Sequence, residues 1–193
     1  YYMNSDGSMR SNEWKLDDTG KIRYLCSWGG AYKSRSAKIN GRSYTFNSAA
    51  EVTNMQWIVM DGQWKLAKDG KIATGWQTWD NNRYYLNADG TMKANEWMID
   101  TDGSVYYFRS WGGAYLNCKA RINGRSYTFG ADSKVQGSQW VVKGGKWYLV
   151  KDGKIATGWQ TWDGNKYYMN SDGSMRSNEL SLIHISEPTR RTP

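Results

Sequence analysis

Three tyrosines expose the plan of this 193-residue chain: Tyr1, Tyr84 and Tyr167 open the same phrase at one offset (84 − 1 = 83 and 167 − 84 = 83), with no gap between copies. Repetition at a fixed period signals a stacked array, in which each unit buries its apolar face only against neighbours. The block subdivides again. Trp76, Trp97, Lys119, Trp140 and Trp159 mark successive starts of one motif at steps of 21, 22, 21 and 19 residues, and Trp14, Ser36, Trp57 and Trp76 mark them in the first block. Within a unit, an aromatic strand runs into Asn40-Gly41, Asp61-Gly62, Asn123-Gly124, Gly144-Gly145 or Asp163-Gly164. Such pairs accept the positive φ that a two-residue hairpin turn requires. A second signal, Asp6-Gly7, Asp69-Gly70, Asp89-Gly90, Asp152-Gly153 or Asp172-Gly173, hands the chain to the next unit. Because an isolated hairpin is marginal in water, the units must stack. The expected fold is all-β, a solenoid of stacked β-hairpins of about twenty residues each, with no helix.

What the hairpins bury should be aromatic. Twelve Trp, fourteen Tyr and three Phe carry most of the apolar surface in a chain whose mean hydropathy is −0.81. All twelve aromatic residues of 1–83 recur in 84–166 while the residues between them drift, as a stack with one ring at each level requires. The net charge of +8 is spread singly through the repeats, which reads as a solvated surface and points to no nucleic-acid partner. No apolar run is long enough to span a bilayer, so membrane insertion is not expected. Cys26 and Cys118 occupy different repeat positions, matched by Arg109 and Arg35, and lack metal-ligand spacing, so two free thiols are expected.

The chain opens in mid-phrase at Tyr1, which reads as a fragment. The pattern stops after Glu179: Leu180 stands where Trp14 and Trp97 predict a tryptophan, and LSLIHISEPTRRTP holds both prolines and His184, the one histidine of the sequence. The first eleven residues of that segment, Leu180 to Arg190, resemble the in-frame translation of a transposon-end sequencing adapter. The organisation read from the sequence is thus a repeat array over 1–179, two 83-residue blocks plus a partial third, and a non-native tail over 180–193.

The material for catalysis is thin. Setting His184 aside removes the usual triads and most zinc sites. The acidic residues sit mainly in turns, and neither Asp17-Asp18-Thr19-Gly20 nor Asp100-Thr101-Asp102-Gly103 continues into a twelve-residue calcium loop. No catalytic residue, metal ligand or cofactor is therefore expected. What remains is rings at fixed intervals along grooves between neighbouring hairpins, which can hold a sugar face or cage a quaternary ammonium. Shallow sites in a row gain strength through avidity.

The phrase TGWQTWDGNKYYMNSDGSM closely resembles the cell-wall-binding repeat family, which includes choline-binding repeats and the glucan-binding repeats of glucosyltransferases and clostridial toxins. The match covers nearly all of 1–179. It is fullest at Gly75-Trp76 with Tyr84-Tyr85 and Met92, and at Gly158-Trp159 with Tyr167-Tyr168 and Met175. The resemblance implies a hairpin solenoid on the surface of a Gram-positive bacterium, or on its secreted protein, outside the cell and binding a wall polymer such as teichoic acid or a glucan. Choline is a further candidate, although Arg83 and Lys166 stand where the family's choline cages place an aromatic. On this resemblance the ligand-binding rings are Trp57, Trp64, Trp76, Trp79, Tyr84, Tyr85, Trp140, Trp147, Tyr148, Trp159, Trp162, Tyr167 and Tyr168. The leading function is a non-catalytic carbohydrate- or wall-binding module. The alternatives are a structural stalk presenting another domain and receptor-binding repeats of toxin or adhesin type. The richest ring surface is expected where Trp140, Trp147, Tyr148 and Trp159 meet.

Overall fold

The structure is a computed structural model that describes residues 2–177; the tail expected over 180–193, with His184, lies outside the described residues. The described residues form eighteen strands in eight small antiparallel sheets, without helix. In the first block β1 (Glu13–Leu16) pairs with β2 (Ile22–Leu25), and β3 (Arg35–Ile39) with β4 (Arg42–Phe46). There β5 (Gln56–Met60) pairs with β6 (Gln63–Lys68), which also carries the short β7 (Lys71–Ile72), and β8 (Gly75–Trp79) pairs with β9 (Asn82–Leu86). The second block repeats this as β10 (Trp97–Ile99) with β11 (Val105–Tyr107) and β12 (Cys118–Ile122) with β13 (Arg125–Phe129). It continues with β14 (Ser138–Lys143), β15 (Lys146–Lys151) and β16 (Lys154–Ile155), then β17 (Gly158–Trp162) with β18 (Asn165–Met169).

Turn chemistry explains where the hairpins close. Both central residues take positive φ at Asn40-Gly41 (47° and 80°), Asp61-Gly62 (53° and 74°), Asn123-Gly124 (47° and 81°) and Asp163-Gly164 (48° and 74°). That is the backbone twist that matches two antiparallel strands. The second turn signal, one motif in the sequence, divides into two structures. Asp69-Gly70 and Asp152-Gly153 are themselves two-residue turns, with both φ positive, that fold β7 and β16 back on β6 and β15. At Asp89 and Asp172 the carboxylate instead accepts bonds from the backbone N–H and hydroxyl of the residue two further on, Thr91 (2.9 and 2.6 Å) and Ser174 (2.9 and 2.5 Å). These local bonds hold both carboxyls below the ordinary carboxylate range.

Backbone bonds tie three successive hairpins around one axis. Ile22 N–H donates to the Gly70 carbonyl at 2.8 Å and Val52 N–H to the Ile22 carbonyl at 3.4 Å; 83 residues on, Val105 donates to Gly153 at 2.8 Å and Val135 to Val105 at 3.1 Å. Ile22, Val52, Val105 and Val135 are fully buried there. The core is therefore not aromatic alone: short aliphatic side chains fill the axis, where backbones approach too closely for rings, and the rings form a layer around them. Trp14 meets Tyr44 with ring centroids at 4.7 Å, and Trp97 meets Tyr127 at 4.9 Å, each pair worth about 0.5–1.5 kcal/mol beyond the area it buries. The Tyr44 hydroxyl donates to the Trp57 carbonyl at 2.7 Å, and the Tyr127 hydroxyl to the Trp140 carbonyl at 2.9 Å. This buried bond fixes the strand that presents Trp57 and Trp140. Both cysteines are free, as their unmatched repeat positions suggested. No described helix is long and apolar enough to cross a membrane.

Candidate ligand-binding grooves

The main groove, about 350 Å³, opens between the β5–β6 and β8–β9 hairpins and the loop after β11. Trp57 from β5 and Tyr84 from β9 form its floor, edge to face at 5.0 Å, and both are buried, at 8% and 7% exposure. Burial, with a lesser contribution from the Asp80 carboxylate, pushes the Tyr84 phenol above its ordinary value, so it is neutral and uncharged at physiological pH. Trp64 from β6 and Trp111 from the loop are the walls, 43% and 46% exposed, and Met92 adds a polarizable contact. Arg42 lays its guanidinium over the Trp64 ring at 4.8 Å. Rings on several sides, two buried and two half exposed, offer flat apolar faces that water wets poorly.

Gly113 leaves room for Trp111, and Gly112 for the Met92 beside it. A Cβ on Gly113 would lie 2.1 Å from the Trp111 ring, and one on Gly112 (φ 89°) would lie 2.0 Å from the Met92 sulfur. Hydrogen is the one side chain that leaves room for either group. The signal was present in the sequence, since Ser27-Trp28-Gly29-Gly30 recurs as Ser110-Trp111-Gly112-Gly113. It lies in a connection between hairpins, outside the strand motif on which the expected site was built. Arg42 and Met92 likewise belong to the groove without having been singled out as site residues.

In the second block Trp140 gathers Tyr167 (5.1 Å), Trp147 (6.2 Å) and Trp162 (6.3 Å), each edge to face. Trp147 lines a groove of about 290 Å³ with Arg125, whose guanidinium lies 4.3 Å over its ring. The expected junction of Trp147, Tyr148 and Trp159 does not form one surface. Neighbouring strand residues point to opposite faces, so Tyr148 enters the core cluster of Trp97, Val105 and Tyr127 at 8% exposure, while Trp147 faces the groove. Tyr148 thus buries a ring at the repeat position where the first block has Lys65, half-buried with its Nζ donating to the Asp89 carbonyl at 2.9 Å.

Trp76 and Tyr85 also lie away from the main groove. Trp76 packs against Tyr85 (5.5 Å), Tyr106 (4.7 Å) and Phe108 (5.7 Å), its indole N–H donates to Asp100 at 3.3 Å, and Arg83 stacks on it at 4.4 Å. Trp79, partly buried, packs against the cluster that contains Trp57, Leu66 and Tyr84. The equivalent pair Trp159 and Tyr168 touch at 5.2 Å but stay exposed, Trp159 at 71%; the positions matching Tyr106 and Phe108 lie outside the described residues. Among the described residues no group of three His, Cys, Asp or Glu could hold a metal ion.

Comparison with known proteins agrees with this architecture. Residues 73–117 match the family profile described as choline-binding repeat, and residues 157–175 match that of the cell wall binding repeat. The choline-binding domain of Spr1274 from Streptococcus pneumoniae is 32% identical, the match covering 42% of this chain and 92% of that one, with a TM-score of 0.35. The choline-binding domain of CbpL from the same species is 28% identical over 87% of each chain, with a TM-score of 0.39. Glucosyltransferase-I of Streptococcus downei is 25% identical over 89% of this chain, which spans 14% of that enzyme's length. The chain is an array of β-hairpins that carries choline-binding and cell-wall-binding repeats over residues 73–117 and 157–175.

Proposed function

We propose that the chain is a non-catalytic carbohydrate-binding module of a surface or secreted Gram-positive protein, holding a wall glycopolymer or a glucan at its outer face. The observation that carries this reading is the main groove, where Trp57, Trp64, Tyr84 and Trp111 converge from separate elements around about 350 Å³. A pyranose ring presents apolar C–H faces that stack on such rings while its hydroxyls stay in water. The aromatic set would also suit a quaternary ammonium, but Arg42 already lies over the Trp64 face. A second cation there meets like charge, which favours the sugar over choline. The matched region is a small part of the glucosyltransferase, in keeping with a binding segment attached to a separate catalytic domain. On this reading the site rings are Trp57, Trp64, Tyr84 and Trp111, with Trp140, Trp147 and Tyr167, 83 residues further on, as the counterparts of the first three.

Burial of Trp57 and Tyr84 supports a second reading, in which the rings only pack and the array is a stalk for another domain. Retention of the full chain on purified Gram-positive walls, cross-linked dextran and choline resin separates the two. The binding module is retained on walls or dextran, and Trp64→Ala weakens retention about tenfold, the equivalent of about 1.4 kcal/mol for one lost platform. A stalk elutes from all three with its melting transition intact.

A further inference from the structure

The main groove does not end at Trp111. Ser110 and Trp111 also wall a second groove of about 350 Å³, and Ile122 and Asn123 join that one to the groove of Trp147. The middle segment is different in chemistry. It is lined by polar groups and two arginines, Arg109 and Arg121, and no residue lining any of the three segments is acidic.

Neither arginine forms an ion pair among the described residues. Arg109 stacks on Tyr115 at 4.5 Å and on Trp111 at 5.4 Å, and donates only a weak bond to Cys118 Sγ at 3.7 Å. Arg121 is exposed and donates from Nε to the Gly124 carbonyl at 3.2 Å. A guanidinium carries five N–H donors, so each keeps most of its hydrogen-bonding capacity for a ligand. Repetition accounts for the charge at Arg121 but not for that at Arg109. At the same positions the first block has Cys26 and Lys38 (109 − 83 = 26 and 121 − 83 = 38).

We infer that the middle segment is an anion subsite, and that the three segments together take an acidic glycopolymer: sugar rings on the aromatic platforms of Trp64 and Trp147, and a phosphate or carboxylate on Arg109 and Arg121 between them. This rests on the carbohydrate-binding reading and narrows its ligand class. Paired guanidinium donors suit the oxygens of a phosphodiester or carboxylate. The flanking Arg42 and Arg125, stacked on Trp64 and Trp147, continue the positive potential along the track.

The test compares dextran with dextran phosphate, the same sugar with and without anionic groups, by tryptophan fluorescence titration of the full chain. The parent is expected to bind dextran phosphate about tenfold more tightly, with the preference shrinking between about 50 and 200 mM salt as screening grows. In Arg121→Gln the preference falls to about twofold, while Arg121→Lys, which keeps the charge but loses the guanidinium fork, retains an intermediate preference. Thermal melting of each variant separates a lost subsite from a lost fold, and exposure of Arg121 predicts unaltered melting. Equal binding of the two dextrans by the parent, or a full preference in Arg121→Gln, overturns the anion subsite alone. Failure of the parent to bind either dextran or isolated walls overturns the carbohydrate reading and the subsite with it. Binding of a thymidine oligonucleotide as tightly as dextran phosphate overturns the glycopolymer assignment in favour of nonspecific polyanion attraction.

Discussion

A single methyl group should dislodge Trp111 from the main groove. Gly113 does not have positive φ, so alanine suits its backbone, yet the added Cβ would sit 2.1 Å from two atoms of the Trp111 ring. No rotation of a methyl relieves such overlap, and the ring must leave. A tryptophan buries roughly 200 Å² when fully enclosed; at 46% exposure about half of that, ~100 Å², is at stake. At about 25 cal/mol per Å² the upper bound is about 2.5 kcal/mol. Replacing glycine stiffens the unfolded chain and offsets about 0.5 kcal/mol of this. The net loss of about 1–2 kcal/mol lowers the melting temperature by about 3–6 °C in a chain of this size. Gly30→Ala is the internal control, because it evicts Trp28 (1.6 Å from the added Cβ), and Trp28 lines none of the three groove segments. Both variants are expected to melt early by similar amounts in circular dichroism, while Gly113→Ala alone loses about tenfold in dextran or wall affinity. Parent-like melting and binding in Gly113→Ala would refute the claim that the missing Cβ seats the ring, and equal binding loss in Gly30→Ala would refute the assignment of Trp111 to the site.

Trp57→Ala removes a buried floor ring and is expected to cost about 3–5 kcal/mol in chemical denaturation, whereas Trp64→Ala, with its ring 43% exposed, should change stability much less and binding more. The Asp80-Asn81 turn holds Asn81 at φ 57°, where the second block has Gly164 at 74°; Asn81→Gly should raise stability by about 0.5 kcal/mol, read as a higher denaturation midpoint. Hydrogen bonds from Ser104 backbone and side chain, with Lys154 nearby, hold Asp102 down to about 2. A carboxyl depressed in the folded state stabilises fully above its unfolded value of about 4 and loses that contribution as pH falls through its folded value. Melting temperature should therefore be level from neutrality down to about pH 5 and drop as pH goes from about 4 to about 2, with a shallower drop in Asp102→Asn. A melting temperature that rises over that interval would contradict the turn assignments.

The repeat, the hairpins and their turns were legible because they rest on local chemistry: a ring at each level and two residues that accept positive φ at each reversal. Asn40-Gly41 and Asp163-Gly164 could be read as turns from their dipeptides alone. Which face a ring occupies was less legible, because it depends on the register of the next hairpin around the axis. Trp76 and Trp57 share a motif position, yet Trp76 is covered by Tyr106 and Phe108 while Trp57 floors a groove. Tyr148 shows the same limit: its neighbour Trp147 lies across the pleat, so adjacency in sequence became opposition in space. Trp111 was not legible because its placement depends on the missing Cβ of Gly113, with Gly112 making room for Met92 beside it, rather than on any strand pattern.

Ligand entry into the groove between the third and fourth hairpins is tested directly by oxidation footprinting of tryptophans. Trp159 is the most exposed tryptophan at 71%, with Trp64 at 43% and Trp111 at 46%, so exposure alone makes Trp159 react first. With saturating glycopolymer, mass spectrometry of peptides from the oxidised chain should show Trp64 and Trp111 protected and Trp159 still modified. Protection of Trp159 with Trp64 and Trp111 as reactive as in the free chain would contradict the claim.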